Sequence, residues 1–438
     1  MVNPDWIPIE RLAALSYSAT GPEAQDAGTR RQNALSILFL FVTIFAFAIR
    51  FCISPEMMNQ VMEYTTKFGS FYEKLHLGTY AIFILLPVAL LSRPIQLRGH
   101  DIRRFKDLLR YSAIMVLLIV LMMALGRSSA AGLVLDTYLV AGAAGLIVLS
   151  MTPQMRRIVG DAVLWMSIVS ALIGILEFAT RTRLAPYDLN EDVFRPTGLA
   201  DHPLTLGLMC AASIGFVLMT GWKPWLKIAA VGVLFIGTAT AGARFALLLA
   251  SAEIVAAVLI VPWTKLTPRH ERQAKVAVLL IVVALGVALF AVLAAGGALS
   301  RFSSGIVDEN FFARTDIYKI FGLVEWRDIV FGADLDGILK IVNEKLKLPF
   351  IESAPVYLTF LFGAPVAIGF AIALFWLFLR MLQHVARPAW IGTAVFFTAA
   401  LSNNMLSSKT PVVAIFLVLI VAYANVVPAR RPPASPET

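Results

Sequence analysis

Residues 410–427 read TPVVAIFLVLIVAYANVV, an apolar run that contains no charged residue. A helix needs about 20 such residues to cross the hydrocarbon core of a bilayer. Comparable apolar windows recur along the chain at 35–53, 76–92, 111–125, 132–152, 161–179, 203–221, 228–243, 245–263, 276–297, 354–379 and 389–405. The sequence therefore predicts an all-α fold, a polytopic membrane bundle of about twelve transmembrane helices.

The amino-acid composition also indicates a membrane protein. Of the 438 residues, 59% are hydrophobic and 15% are charged, and the mean hydropathy is +0.78. A soluble domain has about 45–50% apolar and about 25% charged residues, so this composition excludes a soluble enzyme, a disordered chain and a fibrous protein. The short segments of alternating hydrophobicity that are typical of an outer-membrane barrel do not occur in the sequence.

The placement of charge predicts the orientation of the helices. We interpret the net charge of +9 as a topology signal and expect no nucleic-acid partner. With a cytoplasmic N-terminus, the inner segments hold 21 of the 37 Lys and Arg residues, as the positive-inside rule requires. We therefore expect a bacterial inner-membrane protein with a cytoplasmic tail at 1–34, the transmembrane bundle at 35–427 and a second cytoplasmic tail at 428–438.

Two connections on the predicted periplasmic side are long, at 180–202 and 298–353. Long loops in compact proteins are usually functional, which predicts a site that faces the periplasm. In the second loop, helically spaced apolar residues predict amphipathic helices; they are Phe311, Phe312, Ile317, Tyr318, Phe321, Val324, Ile338, Ile341, Val342 and Leu346. Such helices either form a lid over the site or cover hydrophobic surface between spans, and the pattern favours neither.

Four arginines lie near the predicted outer surface. Arg195 precedes the sixth apolar window, Arg244 interrupts a segment of small residues between two windows, and Arg301 and Arg314 lie in the large loop. An arginine at a membrane boundary often only extends to the lipid headgroups. If the four converge, their planar guanidinium groups predict a phosphate or pyrophosphate site.

Two further residues are candidates for proton transfer. His202 precedes Pro203 at the start of a window, and Glu352 lies where the large loop enters the next window. Either side chain can accept a proton from a hydroxyl. The alternative roles are a helix cap for His202 and a favourable contact with a helix N-terminus for Glu352.

Asp136 and Glu253 fall within predicted spans. A carboxylate inside the membrane is costly and is a functional candidate by default, although a buried hydrogen-bonding role is an equal alternative. Asp188, Glu191, Asp192 and Asp201 show no DxD spacing of the kind that holds Mg²⁺, and the adjacent Asp308 and Glu309 are more typical of a helix start. We therefore expect neither a metal ion nor another cofactor.

The order of four motifs resembles the superfamily of O-antigen ligases and Wzy-type polysaccharide polymerases, and within it the exopolysaccharide repeat-unit polymerases. The resemblance covers residues 160–405. It rests on the segments RPTGLADHP before a span, TAGARFALLLA at an outer turn, FFARTDIYKIFG in the large loop and IESAPVYLTFLFGAPVAIGF at the entry to a span.

The resemblance implies a GT-C-like helical bundle whose site opens to the periplasm, with glycans on undecaprenyl pyrophosphate as substrates. It implies that Arg195, Arg244 and Arg314 hold the donor pyrophosphate. The ligases carry a His-Asn pair where this chain has Glu352 and Ser353. This departure favours a polymerase over a ligase, with Glu352 or His202 as the proton acceptor.

The resulting hypothesis is a metal-independent glycosyltransferase that joins a lipid-linked glycan to the hydroxyl of another lipid-linked repeat unit. Its partners would be the two lipid-linked substrates and the bilayer, with a chain-length regulator and export machinery as further candidates. The alternatives are an O-antigen ligase, a flippase for lipid-linked oligosaccharides and a noncatalytic scaffold. Many transporters contain repeats, and the single large loop argues against a repeat here.

Overall fold

The computed structural model describes residues 27–65, 74–91, 95, 97, 99–185, 187, 194–262, 266–295 and 315–424. Within these ranges all regular structure is helical, which confirms the predicted all-α fold. The helices are α1 (Ala27–Cys52), α2 (Pro55–Asn59), α3 (Leu77–Leu91), α4 (His100–Ala124), α5 (Ser128–Leu149), α6 (Pro153–Thr180), α7 (Pro203–Val217), α8 (Pro224–Thr240), α9 (Arg244–Ile260), α10 (Pro268–Ala295), α11 (Trp326–Phe331), α12 (Leu335–Ile341), α13 (Ala354–Phe362), α14 (Ala364–Leu382), α15 (Arg387–Leu401) and α16 (Val412–Tyr423).

Five of the described helices are long and apolar enough to cross a membrane. They are α1 from Asn33, α4, α5, α6 and α14. Four shorter helices, α3, α7, α8 and α16, are also apolar. These helices fit a helical membrane protein, and the number of spans stays a prediction.

Two helix boundaries depend on glycine. The chain between α8 and α9 turns at Gly242, whose φ of +64° lies in the region that favours glycine. The segment around Arg244 is therefore two helices rather than one long kinked helix. The apolar window at 354–379 hides a second break, because Gly363 with φ +87° separates α13 from α14.

The centre of the bundle is formed by α5 and α16. In α5, 89% of the apolar window is buried, and every residue of α16 is buried. A π-helical turn, Val134–Leu139, interrupts α5 at Asp136. Such turns insert one extra residue and are frequent at functional sites.

The segment from 315 to 351 packs on α13 and forms a second, smaller core. Its members are Ile317, Ile320, Ile338, Val342, Ile351, Val356 and Phe360. Arg127 fixes this segment to the bundle, because its guanidinium donates to the carbonyl oxygens of Phe331 at 2.8 Å and Leu361 at 3.0 Å. The apolar residues at 317, 338 and 342 thus cover the bundle, whereas closure as a lid stays a prediction. Phe311 and Phe312 lie outside the described residues.

The bundle has two ends, and each is named here after a residue that lies there. We call one end the His202 end; it contains the starts of α7 and α9 and the end of α15. The Asp101 end contains the starts of α4 and α6. There Asp101 accepts from Arg104 at 3.0 Å and from Arg156 at 2.7 Å, and Arg104 also donates to the carbonyl oxygen of Gln383 at 2.8 Å.

Candidate functional site

The loop that leads into α7 is organised by Glu177, which lies in the last turn of α6. Its side chain is buried, at 2% exposure. The carboxylate accepts hydrogen bonds from the backbone N–H groups of Leu184 at 2.8 Å, Thr197 at 2.9 Å and Gly198 at 2.9 Å. Backbone N–H groups that face a carboxylate form charge-assisted bonds. One buried side chain therefore holds both ends of the loop.

The same loop lies directly against α6 at Gly198. Gly198 has φ +57°, and a Cβ atom there would come within 2.4 Å of the carbonyl oxygen of Ser170. The hydroxyl of Ser170 accepts from the backbone N–H of Leu199 at 3.0 Å. Only glycine satisfies both the backbone conformation and the close approach. This explains why the motif RPTGLADHP needs its glycine.

Arg195 connects this loop to the turn before α9. The residue is 7% exposed, and its Nε atom donates to the carbonyl oxygen of Ala241 at 3.2 Å. Gly242 lies beside it, since a Cβ atom at that position would be 3.5 Å from Arg195 Nε. The half-buried Arg244 follows as the first residue of α9. The structure thus brings the RPTGLADHP motif against the turn that precedes Arg244.

A second arginine, Arg183, supports Arg195. Its Nη2 atom donates to the carbonyl oxygen of Arg195 at 3.0 Å, and its guanidinium lies over the ring of Tyr187 at 4.1 Å and the ring of Phe194 at 5.1 Å. Stacking on aromatic rings fixes a guanidinium plane. Arg183 has no distinctive signal in the sequence, because the run TRTR at the end of a helix is typical of ordinary interfacial residues.

His202 caps the N-terminus of α7. Its Nδ1 atom accepts from the backbone N–H of Leu204 at 3.1 Å, so the neutral ring carries its proton on Nε2. Burial and the neighbouring Arg195 and Arg183 lower the pKa of His202 to about 4. The cap interpretation is therefore confirmed. A role as proton acceptor stays a prediction, and it would require His202 to give up this cap.

We expect His202 to remain neutral in the folded protein between about pH 5 and pH 8. Because the pKa is lowered to about 4, protonation requires a pH below the ordinary range. The check is an NMR titration of histidine-labelled protein in detergent, with the signal assigned through His202→Gln.

In denaturant the same signal serves as the control, and it should titrate near about 6.5. The unfolded state then binds a proton that the folded state excludes, so stability falls as the pH drops below about 6.5. Titration near that value in the folded protein would contradict the described geometry.

Glu352 lies at the same end of the bundle as His202. The next residues are fixed there, since the N–H of Ala354 donates to the carbonyl oxygen of Asn403 at 3.2 Å, just beyond the end of α15. α15 runs antiparallel to α7, because Gly215 near the end of α7 packs against Pro388 at the start of α15. Glu352 is half-buried, and its catalytic role stays a prediction.

The remaining candidates divide into three groups. Glu253 is buried in α9, at 1% exposure, and its functional role stays a prediction. Arg301 and Arg314 lie outside the described residues, so their predicted contacts with pyrophosphate stay predictions. Asp136 is fully buried and has hydrogen-bonding partners: it accepts from the hydroxyl groups of Tyr64 and of Thr79, the latter at 2.5 Å. This confirms the hydrogen-bonding alternative for Asp136.

A groove on the surface of the bundle lies away from the candidate residues described above. It has a volume of about 350 Å³ and lies between the end of α9 and the start of α10, beside Leu259, Arg272 and Lys275. Since α9 starts at the His202 end, this groove is at the opposite end of the bundle. The groove is therefore not part of the candidate site at Arg195 and His202.

The comparisons with known proteins identify no relative: no family model, no curated protein and no solved structure matches the chain.

Proposed function

We propose that this protein is a polysaccharide polymerase that transfers an undecaprenyl-pyrophosphate-linked glycan to the hydroxyl of another lipid-linked repeat unit. The observation that carries the proposal is the 3.2 Å contact between Arg195 Nε and the carbonyl oxygen of Ala241. This contact unites two of the motifs on which the resemblance to O-antigen ligases and Wzy-type polymerases rests. Both motifs carry an arginine, as a pyrophosphate site requires.

The donor pyrophosphate is proposed to bind beside Arg195, Arg183 and Arg244. After burial, which is the largest cause, the nearby charges of Arg195 and Arg183 also lower the pKa of His202, which places both cations close to the start of α7. The carboxylate of Glu177 is directed at the backbone of the loop, where it accepts from three N–H groups. Fixed cations of this kind stabilise the charge that develops on a departing pyrophosphate. Arg301 and Arg314 are proposed to complete the site.

The acceptor hydroxyl must lose its proton as the new glycosidic bond forms. Glu352 and His202 are the two acceptors that the sequence proposes, and both belong to the His202 end. Metal-independent chemistry remains part of the proposal, since a pyrophosphate that is neutralised by arginines is already a good leaving group.

We further propose about twelve spans in a GT-C-like bundle of the bacterial inner membrane, with both termini in the cytoplasm and the His202 end at the periplasm. The distribution of Lys and Arg supports this orientation. A cysteine at Asn343, an exposed residue of the large loop, should react with an impermeant maleimide in intact spheroplasts. The background is a chain in which Cys52 and Cys210 are replaced by alanine.

The matched control for this experiment is Arg269→Cys, at an exposed position near the start of α10. It should react only after the membrane is opened. The reverse pattern at the two positions would invert the proposed orientation.

Deletion of the gene tests the proposed function, with the sizes of surface glycan and lipid-linked glycan as the measurements. A polymerase predicts that single repeat units accumulate on the outer face. Loss of all outward-facing repeat units would instead indicate a flippase, and long lipid-linked polymer that is not attached to its final acceptor would indicate a ligase. Normal glycan of both kinds would leave only a scaffold or an unrelated role.

A further inference from the structure

A small cavity lies beside the start of α7. Its polar lining comes from Arg50 at the end of α1, Ser54, Asp201 and Thr205, and Pro411 before α16 contributes an apolar wall. The volume of about 10 Å³ matches one oxygen atom of a water molecule or hydroxyl group. The cavity therefore has room for one oxygen atom with its hydrogen, as in a hydroxyl group.

Arg50 supplies a hydrogen-bond donor without a partner. The residue is 1% exposed, and its Nη2 atom donates to the backbone carbonyl oxygen of Asp136 at 2.7 Å. Its Nε atom is also buried, and among the described residues it has no hydrogen-bond acceptor. A buried donor of this kind carries a desolvation cost that a bound oxygen atom would relieve.

The carboxylate of Asp136 is already occupied. Its two oxygen atoms accept from the hydroxyl of Tyr64, the hydroxyl of Thr79 and the backbone N–H of His76. Asp136 therefore positions Arg50 through its backbone carbonyl oxygen. Its carboxylate is directed at Tyr64, Thr79 and His76 instead of at Arg50. Arg50 is left to face the cavity.

Asp201 supplies the complementary acceptor. Its Oδ1 atom is buried and has no hydrogen-bond donor among the described residues. The hydroxyl of Thr205 and the backbone N–H of His202 are directed at the carboxylate. Burial raises the pKa of Asp201. The hydrogen bonds from the hydroxyl of Thr205 and from the backbone N–H groups of Asp201 and His202 oppose this shift, as does the charge of Arg50. A carboxylate with a raised pKa and one open oxygen atom is suited to accept a proton.

A hydroxyl group fits these two orphaned atoms better than either a cation or an anion. It accepts one hydrogen bond and donates one, so it can receive the N–H of Arg50 and donate to Asp201. A phosphate would be repelled by Asp201, and an ammonium group would be repelled by Arg50. The adjacent charges thus select a neutral group that has both a lone pair and a proton.

We propose that the acceptor hydroxyl binds between Arg50 and Asp201 and that Asp201 is the catalytic residue that takes its proton. This inference rests on the proposed polymerase function. The O–H proton moves to Asp201 Oδ1, and the oxygen forms a bond to the anomeric carbon of the donor. The bond from that carbon to the pyrophosphate oxygen breaks, and its electron pair leaves with the pyrophosphate beside Arg195.

The experiment uses the full-length protein in proteoliposomes. Single repeat units on undecaprenyl pyrophosphate, extracted from the deletion strain, serve as both donor and acceptor. Asp201→Asn preserves shape and removes basicity, so polymerisation should fall at least about a hundredfold. Binding of undecaprenyl pyrophosphate alone, measured by its effect on thermal unfolding, should remain unchanged. The matched control is Asp316→Asn, at an exposed carboxylate of the large loop that pairs with Lys319.

The pH profile separates catalysis from a structural role. The charged and titratable groups that face Asp201 are Arg50 of α1 and Tyr64 of the segment before α3; Lys409, before α16, lies over the Tyr64 ring at 4.6 Å. The wild-type rate should fall at acid pH as Asp201 is protonated. Thr205→Val removes a bond that lowers the pKa of Asp201, so the acid limb of this variant's pH profile should move to higher pH.

The rates of Asp201→Asn, Thr205→Val and Glu352→Gln together decide which residue accepts the proton. If Asp201→Asn does not fold, the shift of the acid limb in Thr205→Val still decides the role of Asp201. Near-normal turnover by Asp201→Asn, or an unshifted acid limb in Thr205→Val, overturns the role of Asp201 and leaves the polymerase proposal intact. A hundredfold loss in Glu352→Gln together with normal turnover in Asp201→Asn would assign the proton transfer to Glu352. If the wild-type protein forms no polymer from these substrates, the proposed function fails, and this inference fails with it.

Discussion

Replacing Arg195 with lysine is expected to slow polymer formation at least about tenfold, because one charge-assisted hydrogen bond contributes about 1.5–3 kcal/mol. Arg195 uses its Nε atom to hold the carbonyl oxygen of Ala241 at 3.2 Å, and the same planar group is proposed to bind the pyrophosphate. A lysine has one point of charge and cannot make both contacts. The measurement is the initial rate of polymer formation in proteoliposomes.

The control for this prediction is Arg181→Lys. Arg181 belongs to the same connection, but it is exposed and lies over the ring of Phe178 at 4.4 Å. We expect this variant to keep the wild-type rate. Equal rates for Arg195→Lys and the wild type would remove Arg195 from the proposed pyrophosphate site.

The second large effect is expected at the opposite end of the bundle. Asp101→Asn should lower the free energy of unfolding by about 3–5 kcal/mol, since it leaves buried arginines without their counter-charge. Asp101 accepts from Arg104 at 3.0 Å and from Arg156 at 2.7 Å, and all three side chains are buried. Equilibrium unfolding in mixed micelles gives the measurement.

Asp316→Asn is the matched comparison for stability. Asp316 pairs with Lys319 at 2.8 Å, but the two side chains are 42% and 67% exposed, and such surface pairs contribute at most about 1 kcal/mol. A similar loss of stability in both variants would show that burial does not set the strength of the Asp101 ion pairs.

The sequence predicted the helical class of this protein, and it predicted two windows around Arg244 with one long kinked helix as the alternative; the structure has two helices. Both depend on local properties, since apolar runs specify helices in lipid and glycine among small residues permits the turn at Gly242. The break at Gly363 was missed, because hydropathy continues across it without a change. Its physical cause is a close approach: a Cβ atom there would lie 2.5 Å from the carbonyl oxygen of Val330.

The functional groups that sequence analysis missed depend on distant partners. Glu177 binds backbone N–H groups up to 21 residues away, and their spacing follows no helical or strand period. Arg50 and Asp201 line one cavity although 150 residues separate them in the chain. Neither residue has a local sequence signal, because the proposed role of each depends on the cavity that the end of α1 and the start of α7 share.

The central position of α5 and α16 sets the order in which this protein can complete its assembly. α16, the last described helix, is buried along its whole length, and it packs on both α5 and α6. It is synthesised about 260 residues after α5, a delay of about 10–50 s at translation rates of about 5–20 residues per second. During this interval the surfaces of α5 and α6 that face α16 lack this neighbour. α5 can therefore pack on α3 and α4 early, whereas its contacts with α16 form only after residue 412 has been synthesised.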